Sequence, residues 1–125
     1  MSLRIVQLGS ARHPDEGIRL GTVRRAPRGV RKTQYAKLNY YDVWLPNLSP
    51  SDDLLRKKLI KEDGSGWRAF EQRFRAELKQ PDKSHLLDAL SHVTNFSIGC
   101  YCNDEKLCHR SILRTEFKKR GALIK

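Results

Sequence analysis

The segment IGCYCNDEKLCHRSIL, residues 98–113, holds all three cysteines of the chain, one of its four histidines and an arginine directly after it. Thiols, an imidazole and a guanidinium in one stretch can ligate a soft metal, supply a nucleophile with an acid–base partner, or exchange electrons through a disulfide. A tetrahedral zinc site needs Cys100, Cys102, Cys108 and His109 to point at one centre. Cys-x-Cys followed by an adjacent Cys-His departs from the paired knuckles that such sites use. The spacing therefore predicts no bound metal, and no other motif calls for a cofactor. A phosphate loop with an arginine six positions after its cysteine is excluded as well, because Cys100 meets Lys106 at that distance and Cys102 meets Cys108. The chemistry left is an anion-binding thiol site. In it Cys100 or Cys108 is the nucleophile, His109 the acid or base, and Arg110 a bidentate donor to phosphate or carboxylate. Two alternatives compete: cysteines that are small buried hydrophobes with Arg110 as a helix-start ion-pair partner, or vicinal thiols that oxidise as a redox sensor.

Charge bears on the partner. The 25 Lys and Arg outnumber the 14 Asp and Glu, leaving a net +11 that draws anions by long-range attraction. Small phosphorylated or carboxylated molecules and non-specific nucleic acid both suit such a field. The excess is concentrated: residues 1–40 hold nine Lys or Arg against two acids, and VRRAPRGVRK (23–32) has five basic residues and no acid. Arg24 and Arg28 lie in that segment, which has no apolar period and reads as a long functional loop. No helix-turn-helix, zinc-finger or RNA-recognition signature accompanies the charge, so a nucleic-acid accessory protein is the alternative to an enzyme or ligand-binding domain.

These residues must be positioned by a single domain spanning residues 1–125. Its start has no apolar stretch of signal-peptide length, and no run is long enough to span a bilayer. A cytoplasmic protein without a membrane partner is expected, since three clustered cysteines do not make the even-numbered framework of a small secreted chain. LRIVQLG (3–9), GIRLGTV (17–23), YYDVWLP (40–46) and FSIGCYC (96–102) read as strands. Helices are predicted from Ser49-Pro50, carrying Leu54, Leu55 and Leu59 inward; along Trp67, Phe70, Phe74 and Leu78; from about Ser84; and from about Leu107, with Ile112, Leu113 and Phe117 inward. The aromatic stripe of the second reads as core, and His85 and His92 on the third as surface residues. The order implies an α/β fold: one small domain, a sheet with helices packed on it, in a Rossmann-like three-layer sandwich.

RRAPRGVRK, YYDVWLPNLSPS, GWRAFEQRFRAEL and CYCNDEKLCHRSIL, in that order, resemble the domain of unknown function 488 family, relatives of the YeaO-like proteins. Arg24, Pro27, Arg28, Gly29 and Lys32 fall on the family's first motif, Asp42, Trp44 and Leu45 on its second, and Cys100, Cys108, His109 and Arg110 on its third. Ala26 stands where a tryptophan is usual, and Cys102 near where an acid is usual. The resemblance implies a compact α/β fold and a shared polar site, and no particular reaction. In an open α/β sheet such a site lies at the carboxyl ends of the strands. Arg24, Arg28 and Arg110 are therefore expected to converge there on Cys108 and His109, with the Asp42 carboxylate pairing one of the arginines.

Overall fold

The computed structural model describes residues 1–125. Five parallel strands, β1 (Ser2–Gln7), β2 (Ile18–Gly21), β3 (Val43–Trp44), β4 (Asn95–Cys100) and β5 (Leu123–Ile124), form one sheet in the order β3-β2-β4-β1-β5. Four helices, α1 (Asp52–Arg56), α2 (Trp67–Leu78), α3 (Pro81–Leu90) and α4 (His109–Lys119), complete the expected α/β fold. No helix is long and apolar enough to cross a membrane.

Local chemistry sets the boundaries. α1 starts two residues later than Ser49-Pro50 suggests. The Ser49 hydroxyl is used in the preceding 3-10 turn, donating to Pro46 O at 2.8 Å, while Ser51 Oγ accepts from Leu54 N at 3.1 Å as the true cap. Only Leu54 of its leucines is buried; Leu55 is exposed, and Leu59 lies beyond the helix, partly packed on the core. α2 follows a turn that demands glycine at 66, where φ is 86° and a Cβ would lie 1.8 Å from Leu59 O. Its Phe70, Phe74 and Leu78 are buried, as the stripe predicted. α3 begins at Pro81, three residues before Ser84, because proline needs no N–H partner in the first turn. His85 and His92 are exposed.

All four helices feed one apolar cluster with Leu3, Leu20, Phe96 and Ile98 of the sheet. The opposite face is covered by irregular chain, so the third layer is coil rather than helix. Here Gly21 leaves room for the Tyr41 ring, whose Cδ2 would lie 2.2 Å from an added Cβ. Arg19 of β2 points into this layer and is fully buried. Its guanidinium donates to both Glu16 carboxylate oxygens, at 2.6 and 2.9 Å, and to the carbonyls of Ser10, Ala11 and Asn39. Ser97 of β4 completes the network with a 2.7 Å bond to Glu16. Every donor is engaged, which makes Arg19 a clamp for the two covering loops and not a free binding group.

The topology also locates a crevice. From β2 the chain moves outward to β3, whereas from β4 it passes through α4 to β5 on the other flank. The connections diverge between β2 and β4, and their carboxyl ends form the position where open α/β sheets take ligands.

Candidate functional site

Cys100 closes β4, Cys102 follows two residues later, and Cys108 is the residue before α4. The loop between them is pinned from several sides. Gln7 Nε2 donates to Tyr101 O and Asn103 Oδ1, Asp104 Oδ1 accepts from Lys106 N at 2.9 Å, and Arg114 grips Glu105 at 2.6 and 3.0 Å. So held, it folds the three free thiols onto one another: their Sγ atoms all lie within 4.8 Å, with Cys100 and Cys102 3.7 Å apart.

His109 and Arg110 flank the cluster from the first turn of α4. His109 Nε2 lies 2.6 Å from Thr22 O. A carbonyl only accepts, so this nitrogen carries the proton and Nδ1 is left facing Cys108 Sγ at 3.7 Å. Phe74 meets the imidazole edge-on at a centroid distance of 5.7 Å and fixes its plane. Arg110, only 3% exposed, donates to Val6 O and Cys102 O at 2.6 Å each and from Nε to Cys108 Sγ at 3.3 Å. No carboxylate is among its partners. Hydrogen bonds from Cys100 and Cys102 push the Cys108 thiol well below its ordinary range, outweighing burial. Cys100 is pushed up by its bonds to Cys102 and Cys108 and by burial. For Cys102 the bond with Cys100 favours the thiolate, but the bond to Cys108 and burial leave the thiol raised. Of the three sulfurs, Cys108, beside Arg110, is therefore the one at which the surroundings favour the thiolate.

Above the sulfurs lies a crevice of about 240 Å³ whose walls include Val23, Arg24, Pro50, Cys100, Cys102 and His109. Four of the predicted residues, Cys100, Cys108, His109 and Arg110, thus come together, and Arg24 joins them at the mouth. Its Nε donates to Pro50 O at 3.1 Å and one Nη to Ser49 O at 3.3 Å. The others are placed differently. Arg110 is turned inward to the sulfur rather than outward to the crevice. Arg28 is exposed on a neighbouring depression with Arg25, Tyr40 and Tyr101. Asp42 precedes β3 and so lies toward the amino ends of the strands. It pairs with Arg12 at 2.8 and 3.0 Å and accepts from Arg19 N at 2.9 Å, not with Arg24, Arg28 or Arg110. A wider depression of about 450 Å³ between α1 and α2 contains no thiol or imidazole.

Sequence reasoning weighed Cys102 as a zinc ligand and a vicinal thiol but left it out of the anion site, and it is the exposed thiol of the cluster. Two further participants were passed over. Thr22 acts through its carbonyl, which no side-chain pattern reveals. Tyr41, 3% exposed, packs beside Cys100 and Cys108 with its hydroxyl unpartnered and is pushed up to about 12 by burial, with Tyr35 adding to it.

No curated protein and no solved structure matches the chain. A protein-family model described as the active DUF488-N3 subclade (DUF488-N3a) does, over residues 3–121. That match spans β2, β3 and β4 with nearly all of β1, the loop carrying Arg24, and the whole Cys100–Arg110 cluster, and the chain therefore belongs to the DUF488 family.

Proposed function

We propose that the crevice binds a small molecule bearing phosphate or carboxylate and that the thiol cluster beneath it is the reactive centre. The observation that carries this reading is the burial of Arg110 against Cys108 Sγ with no carboxylate partner. A buried cation needs a counter-charge, and a thiolate is the anion within its reach. Cys108 lies behind the other two sulfurs, whereas Cys100 lines the crevice. Cys100 is accordingly the attacking sulfur: as its bond to the ligand's electrophilic atom forms and that atom's bond to the leaving group breaks, the Cys100 proton passes by way of the Cys108 sulfur to the unprotonated His109 Nδ1, 3.7 Å from it. His109 has its Nε2–H engaged by Thr22, so proton exchange with the leaving group runs through Nδ1. Arg24 has one Nη unengaged and is the first contact for the anion. Arg28 on the adjoining rim adds attraction at longer range. The description of the matched subclade as active supports an enzyme over a purely structural cluster.

The test is a thermal-shift screen of phosphate, nucleotides and small carboxylates on wild type and Arg24→Gln. At least one anion should stabilise the wild type and bind about tenfold more weakly to the variant, the loss of a charge-assisted contact of ~1.5 kcal/mol. The same anion should protect Cys100 from alkylation. The reading fails if no anion stabilises the protein, or if both proteins respond equally.

A further inference from the structure

We propose that Cys100, Cys102 and Cys108 together bind one zinc ion as thiolates. Their linear spacing argues against this, and the fold removes the objection by bringing a strand end, a loop and a helix start to one point. The 3.7 Å between Cys100 and Cys102 sulfurs is already close to the ~3.8 Å expected of two ligands on a tetrahedral zinc with bonds of about 2.3 Å. The other sulfur pairs, within 4.8 Å, need to shorten by ~1 Å at most to reach that tetrahedral separation. A shift of that size, shared between the two side chains of a pair, needs only small χ1 rotations with the backbone left in place.

The surroundings suit a metal as well as the sulfurs do. Three thiolates and a divalent ion carry one net negative charge, and Arg110 places one positive charge at 3.3 Å from Cys108 Sγ. The same guanidinium holds Cys102 O, fixing the loop that supplies the exposed ligand. His109 donates Nε2–H to a backbone carbonyl and turns Nδ1 to Cys108 Sγ at 3.7 Å, outside the set of three mutually close sulfurs, so the protein supplies three ligands and the fourth position faces the crevice. The crevice is the entry path, and the thiols release their protons to solvent on binding. This goes beyond the reading of the cluster as a thiol centre: zinc occupies the same sulfurs, so the loaded protein would hold Cys100 unreactive.

Reduced, chelator-stripped protein should be titrated with Co²⁺ and then Zn²⁺, in wild type and Cys102→Ser. The expected result is one cobalt per chain with sulfur-to-cobalt charge-transfer absorption, bleached by zinc, and a higher melting temperature with zinc. Cys102→Ser should melt like metal-free wild type, because that side chain is exposed, and should lose at least ~100-fold in metal affinity. Absence of the charge-transfer bands, or equal affinity in the variant, overturns the proposal. Anion stabilisation and protection of Cys100 are measured on metal-free protein, so either reading can fail while the other stands.

Discussion

Replacing Arg110 with methionine removes a buried guanidinium while keeping most of the volume of its stem, so the cost is mainly polar. Val6 O and Cys102 O lose donors at 2.6 Å each, and Cys108 Sγ loses its counter-charge at 3.3 Å. An orphaned buried acceptor costs about 1–3 kcal/mol, and removing one partner of a buried charged pair about 3–5 kcal/mol. These contributions overlap. A total of about 3–5 kcal/mol is expected, against the ~1 kcal/mol or less of a solvent-exposed arginine. Urea unfolding followed by circular dichroism measures it, with the m-value as a check that both proteins unfold in the same way. Cys108→Ala and the double variant close a thermodynamic cycle. A coupling of at least about 1 kcal/mol would isolate the contact between charge and sulfur from lost packing. A loss below ~1 kcal/mol, or a coupling near zero, refutes the reasoning, because Arg110 would then be held by its carbonyl partners alone.

Glu16 provides a pH test. Burial pushes its carboxyl up, but bonds from Arg19, Ser97 and the His13 N–H bring it down to about 2 from 4.5. Its folded value lies below its unfolded one, so its stabilisation is present above pH 4.5 and disappears as pH falls toward 2. The stability gap between wild type and Glu16→Gln should shrink across that window, and a constant gap in acid-unfolding curves would contradict the assignment. Gly21→Ala should destabilise by about 1–3 kcal/mol in urea, because the new methyl would overlap the Tyr41 ring. Phe74→Ala should cost about 3–5 kcal/mol as a cavity mutation. It should also weaken anion binding in a thermal-shift titration, since Phe74 sets the plane of His109. Nucleic acid, drawn by the net +11, should bind without sequence preference, with log K falling steeply against log salt in filter binding; a salt-resistant complex with one sequence would promote nucleic acid to the principal partner.

The elements with a strong period were legible in the sequence. Phe70, Phe74 and Leu78 recur on one helical face, and Phe96 and Ile98 alternate along β4, because burial of one face imposes a period that composition alone carries. β5 escaped, since a two-residue edge strand has no period to show. Within the site, residue types close in sequence were readable: Cys100, Cys108, His109 and Arg110 lie on either side of one strand-to-helix loop, so they could hardly be far apart. Their orientation was not. Arg110 reads as an outward anion donor at a helix start, and it is the fold of β1 and the Cys102 loop around it that turns it inward to Cys108. Asp42 reads as a partner for one of Arg24, Arg28 and Arg110, and the parallel register of β2 and β3 leaves it at the other end of the sheet, on Arg12. Cys-x-Cys followed by an adjacent Cys-His argued against a shared centre. Only the pinned path of residues 101–108 brings their sulfurs together, because separation along a loop does not determine separation in space.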